Sequence, residues 1–167
     1  YVGMTRSAEI ADATLTSNTP SHTNYAFSKA FDQDKTTDGN NRWWPRQDAL
    51  PNNVSLNWQF KNPFRVTSYK IRAGSTANRY IKAFILYGSN NGSTWTNIDD
   101  MNASSSNHQT NWAANEEKTF TVDSAGDYSY YKFVVTEANA SNNYMEIREI
   151  DLIGVDYSPI TDFNLPI

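Results

Sequence analysis

The chain has 167 residues, a formal net charge of −4 and no cysteine. That length suits one domain with a core large enough to stand without covalent staples, and the missing cysteines exclude disulfides and thiolate chemistry. The acidic balance, with no basic run, excludes a nucleic-acid surface, and no apolar stretch approaches the ~20 residues that span a bilayer. A chain that opens on Tyr1 reads as a piece of something longer. The core material is aromatic, with five Trp, ten Tyr and eight Phe.

In chain order, a polar loop over 18–24 leads into one short helix predicted over 25–31. The helix runs directly into Asp32-Gln33-Asp34-Lys35-Thr36-Thr37. Here two carboxylates and two hydroxyls crowd into six residues, the donor type that hard cations such as Ca²⁺ take six to eight of. A second polar loop fills 38–53. Val54, Leu56, Trp58 and Phe60 then alternate with polar residues in one predicted strand, and Tyr69, Ile71 and Ala73 do so in the next, with Ser68, Lys70 and Arg72 on the opposite side. Period-two alternation is the signature of a half-buried strand. Another strand covers 83–89 and closes on Asn90-Asn91-Gly92-Ser93, a turn sequence in which Asn and Gly accept positive φ. Trp95 restarts the chain. A polar loop over 102–115, strands around Phe120 and Val122 and over 131–136, a loop over 139–143 and a last strand over 150–155 complete the pattern, which is that of an all-β sandwich or barrel. The domain is expected over 1–157, and residues 158–167, bracketed by proline, read as a tail or linker.

Four pieces, in order, resemble the discoidin or factor V/VIII type C domains, and within that superfamily the family 32 carbohydrate-binding modules. They are Ala30-Phe31-Asp32-Gln33-Asp34 with Thr37 and Trp43; Val54-Ser55-Leu56 on to Phe60; Val66 to Arg72 followed by Phe84 to Trp95; and Tyr131 to Val135 followed by Glu149 to Gly154. The resemblance implies a jelly-roll β-sandwich that binds rather than catalyses and carries a structural Ca²⁺. It implies a metal shell from Asp32, Asp34, Thr37 and Glu149, with a backbone carbonyl near Ala30. Two departures stand out. Gln33 occupies a place where the family commonly has glycine, and the family's Thr-x-Trp-His run is broken here into 37–44, which ends Trp43-Trp44 with no histidine.

For a sugar site the resemblance implies Arg72 at its strand end and Asn78 about six residues later. The related fucose-binding lectins space two basic residues as Arg72 and Arg79, with an aspartate where this chain has Gly74. Trp43, Trp44 and Tyr144 supply rings for the apolar faces of a sugar, and His22 is placed near the same end. The expectation is a secreted or surface-displayed module, extracellular or on a cell or virion surface. Its partner is a glycan or polysaccharide, through a terminal galactose-type or fucose-type sugar, with other modules of the same parent chain beside it. The rival class is a protein- or lipid-binding discoidin-type adhesion domain, though the Asn/Ser/Thr-rich loops do not suit membrane insertion. No Gly-x-Ser-x-Gly elbow points to an enzyme.

Overall fold

Alternating apolar residues become strands through most of the chain. The computed structural model describes residues 3–37, 39–46, 54–102, 111–139 and 145–156, which form eight strands. They are β1 (Arg6–Ser7), β2 (Ala13–Thr16), β3 (Val54–Ala73), β4 (Ile81–Ser89), β5 (Thr96–Met101), β6 (Glu117–Thr121), β7 (Tyr128–Ala138) and β8 (Ile147–Asp156). All pairings are antiparallel, in the order β1-β8-β3-β7-β4-β5, with β2 and β6 also paired to β3.

β3 organises the two layers of the sandwich. Its first half pairs with β2 and β7 (Leu15 opposite Trp58, Leu56 opposite Phe133), and its second half pairs with β6 and β8 (Tyr69 opposite Phe120 and Leu152). The two strands expected from the sequence are therefore one, with a shift of register between Gln59 and Phe64. Tyr131 of β7 holds that shift: its hydroxyl donates to the Phe64 carbonyl and accepts the Val66 amide at 3.2 Å. Buried backbone groups need a hydrogen-bond partner, and at the shift this hydroxyl supplies one to each of the two.

Between the layers lie Trp58, Tyr69, Phe84 and Phe133, all fully buried, with Phe31 packed edge-on to Trp58 at 5.8 Å. The expected short helix is a 3₁₀ helix, Phe27–Phe31, whose Ala30 and Phe31 face the core. β1 and β2 were not expected, being too short to show alternation. β8 lies so close to β3 that a Cβ at Gly154 would stand 1.9 Å from the Arg65 carbonyl oxygen. Only glycine permits that approach. The expected tail, 158–167, lies outside the described residues.

Candidate functional site

One end of the sandwich is knitted together by backbone bonds between four distant segments. Trp43 and Ile147 exchange amide-to-carbonyl bonds at 2.7 and 3.0 Å, and the His22 amide reaches the Trp44 carbonyl at 3.0 Å. The Trp44 amide donates to the Tyr25 carbonyl at 3.0 Å, and the Glu146 amide to the Arg79 carbonyl at 2.9 Å. These bonds place a set of side chains that no stretch of sequence brings together.

At the centre is Glu146, with its side chain wholly buried. It pairs with Arg79 (Nη1 to Oε1, 2.7 Å) and with Arg42 (Nε to Oε2, 3.1 Å). The Arg79 guanidinium lies 4.6 Å from the ring centroid of Trp44, and that of Arg42 lies 4.6 Å from Tyr25 and 5.7 Å from Trp44. His22 packs on Trp44 at 4.4 Å, and Tyr25 lies 5.2 Å from it. Two cations thus flank one buried carboxylate and rest on aromatic rings: Arg79 is hydrogen-bonded to it, and Arg42 is ion-paired by proximity, its Nε and Glu146 Oε2 making no hydrogen bond. Gly74 makes room for this: a Cβ there would stand 2.5 Å from the Cβ and Oε2 of Glu146. Position 74, where the fucose-lectin pattern has an aspartate, is thus bare, and the carboxylate beside it comes from another segment.

Of the expected sugar-site residues, Trp44, Arg79 and His22 come together here. Trp43 does not join them. It is wholly buried in the core and has no surface to offer a ligand. Asn78 is exposed on the neighbouring turn, where its carbonyl accepts Asn139 Nδ2 at 2.6 Å. Arg72 lies elsewhere: it donates to the Lys35 carbonyl at 3.1 Å and stands 3.8 Å from Glu117, and neither partner belongs to the cluster. In the strand register Arg72 lies opposite Glu117 on β6, toward which its guanidinium turns. Tyr144 lies outside the described residues. Sequence reasoning missed Tyr25, Arg42 and Glu146 as site residues. The one signal for Glu146 is a carboxylate set between Met145 and Ile147 at the mouth of a strand, an expensive place for an unpaired charge.

The acidic segment after the 3₁₀ helix meets β8. Asp32 stands close enough to Glu149 for its charge to raise the proton affinity of Glu149. Burial, with the charge of Asp32 added, pushes the Glu149 carboxyl up to about 9, and burial also raises Asp32. The Gln33 amide points at Glu149, yet Glu149 Oε2 is buried with no hydrogen-bond partner. Gln33 takes φ 61°, the left-handed conformation that glycine would supply at lower cost. Arg148, fully buried, donates to the Thr36 and Asn41 carbonyls at 2.5 and 2.9 Å and so ties the segment down. Asp34 turns outward, its carboxylate accepting the Thr36 amide at 3.0 Å, and Thr37 is exposed. Ala30 is buried at the end of the 3₁₀ helix. Among the described residues no group of three His, Cys, Asp or Glu side chains converges as a metal site. The two carboxylates that do converge suit a cation whose shell is completed by backbone carbonyls, with Glu149 Oε2 as the oxygen that lacks a partner.

Residues 13–150 match the F5/8 type C domain family, and the chain belongs to that family. No curated protein matches it. Among solved structures it is similar to the family 32 carbohydrate-binding module of NanJ from Clostridium perfringens, solved in complex with galactose. That pair has 19% identity and a TM-score of 0.67 over 90% of this chain and 99% of the other. It is also similar to CpGH89CBM32-5 of Clostridium perfringens, in complex with GalNAc-β-1,3-galactose (14% identity, TM-score 0.66, 89% and 99% covered). A third is the C-terminal domain of a chitobiase from Bacteroides fragilis (17% identity, TM-score 0.68, 92% and 100% covered). At these identities the likeness is one of fold, and it confirms the β-sandwich. Among the described residues no helix is long and apolar enough to cross a membrane.

Proposed function

We propose that this domain is a non-catalytic carbohydrate-binding module that takes a galactose-type or fucose-type sugar at the Arg42–Trp44–Arg79–Glu146 end of the sandwich, outside the cell. The observation that carries the reading is the Arg79 guanidinium held 4.6 Å over the Trp44 ring and tied at 2.7 Å to the buried Glu146. A sugar offers vicinal hydroxyls, which suit the planar fork of an oriented guanidinium, and C–H faces, which suit rings such as Trp44 and Tyr25. Pre-ordering the two arginines lowers the entropy lost on binding, and even a weak sugar complex needs that saving. The galactose-bearing neighbours support the same reading, as do relatives that sit beside catalytic modules, such as the two family 32 modules and M60 catalytic domain of ZmpB from Clostridium perfringens.

The reading includes a structural Ca²⁺ on the side chains of Asp32 and Glu149, with a carbonyl near Ala30 and with Asp34 and Thr37 at the rim. When bound, the ion supplies positive charge to two carboxylates that burial disfavours, and it fastens the 3₁₀ helix to β8. Arg72 and Arg148 hold the carbonyls of Lys35 and Thr36, which orders the loop that the ion caps.

Calorimetry against galactose, N-acetylgalactosamine and fucose tests the reading. Arg79→Ala is expected to weaken the bound sugar about tenfold or more, a loss of ~1.4 kcal/mol or above, and Arg72→Ala to leave it within about twofold. Absence of binding to all three sugars, or loss with Arg72→Ala and not Arg79→Ala, would overturn it.

A further inference from the structure

The outer face of β2, β3 and β7, with the connection that follows β4, holds a cleft of about 340 Å³, at the small end of the range for ligand pockets. Strand alternation turns Asn57 and Gln59 of β3 and Tyr130 and Lys132 of β7 onto this face, with Asn57 directly opposite Lys132 and Gln59 opposite Tyr130. Trp95 closes one side from the connection between β4 and β5, and Thr16 of β2 lines another. None of these residues belongs to the cluster around Glu146.

The wall is built to keep its shape. In the turn ahead of Trp95, Asn91 Oδ1 accepts the Ser93 and Thr94 amides at 2.8 Å each, and Ser89 Oγ accepts the Gly92 amide at 3.0 Å. Gly92 takes φ 72°, and a Cβ on it would stand 3.1 Å from the Tyr130 ring. Gln59 Nε2 donates to the Tyr130 hydroxyl at 3.3 Å. Rings and amides are thus fixed on strands and on a hydrogen-bonded turn, which is how a preformed site is held.

Its electrostatics are one-sided. Lys132 Nζ lies 4.3 Å from the Trp95 ring centroid and 5.1 Å from that of Tyr87, and no carboxylate pairs with it among the described residues. The other lining groups are neutral. A single cation beside aromatic faces, ringed by amides and hydroxyls, matches a pyranose that carries a carboxylate: ring faces meet Trp95 and Tyr130, hydroxyls meet Asn57 and Gln59, and the acid meets Lys132.

We propose that this sheet face is a second binding site, for a uronic-acid-containing oligosaccharide, separate from the loop end of the sandwich. It does not require that the loop end bind sugar. Calorimetry with a hyaluronan hexasaccharide and an oligogalacturonate, against neutral cellohexaose, provides the test. At least one acidic chain is expected to bind and cellohexaose to bind at least tenfold more weakly. Lys132→Met and Trp95→Ala should each cost tenfold or more, while Arg79→Ala leaves the titration unchanged. Should Trp95→Ala unfold by circular dichroism, the shift of the Trp95 indole N–H resonance on titrating the intact domain serves in its place. The proposal is overturned if neither acidic chain binds, if Lys132→Met binds as wild type does, if cellohexaose binds equally well, or if Arg79→Ala abolishes binding and so moves the ligand to the loop end.

Discussion

Trp43 and Trp44, adjacent in the chain, face opposite ways: Trp43 is wholly buried between the layers, and Trp44 lies under the Arg79 guanidinium at 4.6 Å. The isolated bridge between Trp43 and Ile147 enforces this, because paired extended residues turn successive side chains to opposite faces. Replacing the two should therefore separate folding from binding. Trp43→Ala is expected to cost ~3–5 kcal/mol of stability. Trp44→Ala should lower sugar affinity about tenfold and shift the melting point by only a few degrees. Equal loss of stability from both would place Trp44 in the core as well.

Calcium should stabilise the fold without taking part in ligand chemistry. A ligand that binds only the native state adds about 2.7 kcal/mol at a hundredfold excess over its Kd. Melting is therefore expected to fall by several degrees on chelation and to recover with Ca²⁺, and Glu149→Gln should abolish the difference. A midpoint indifferent to chelation, with no metal by elemental analysis, would remove the ion from the account.

Glu146 is the shared anchor of Arg42 and Arg79, so its loss leaves two cations beside one another. Breaking a buried pair costs ~3–5 kcal/mol. Here the cost should be smaller, because the Arg79 side chain keeps 26% of its surface and water screens it. Glu146→Ala is expected to weaken sugar binding more than Arg42→Ala does, with a clear drop in melting temperature. An unchanged affinity would show that the arginines need no tether.

The pH dependence of stability should carry a signature of Asp99. Its carboxylate is buried on β5 and accepts the Tyr69 hydroxyl at 2.5 Å, and burial raises its pKa above the ordinary value of 3.8. The native state therefore holds that proton more tightly than the unfolded chain. The resulting stabilisation is full below the unfolded value and is lost as pH rises through the folded one. Asp99→Asn keeps an acceptor for Tyr69 and removes the titration, so the variant should gain on the wild type as pH climbs from about 4 to 7. Each proton accounts for at most ~1.4 kcal/mol per pH unit. Melting curves that stay parallel across that range would contradict it.

Much of the architecture follows from local pattern alone. The alternation of Val54, Leu56, Trp58 and Phe60, or of Tyr69 and Ile71, is a local property, since burial of one strand face needs only the period of the chain. The turn around Gly92 is equally local: it depends on φ 72° and on the Asn91 side chain accepting the amides two and three residues on. The acidic segment after Phe31 was legible for the same reason, as its oxygens are neighbours in sequence. The tertiary structure alone decided the rest. That Gln59 to Phe64 is a shift within one strand depends on the Tyr131 hydroxyl arriving from β7. Whether Arg72 or Arg79 faces Trp44 depended on the tertiary surroundings, since the Lys35 carbonyl and Glu117 hold the first arginine and Glu146 the second. A charged side chain goes to the counter-charge it meets in space, and that partner comes from strand pairings far apart in the chain.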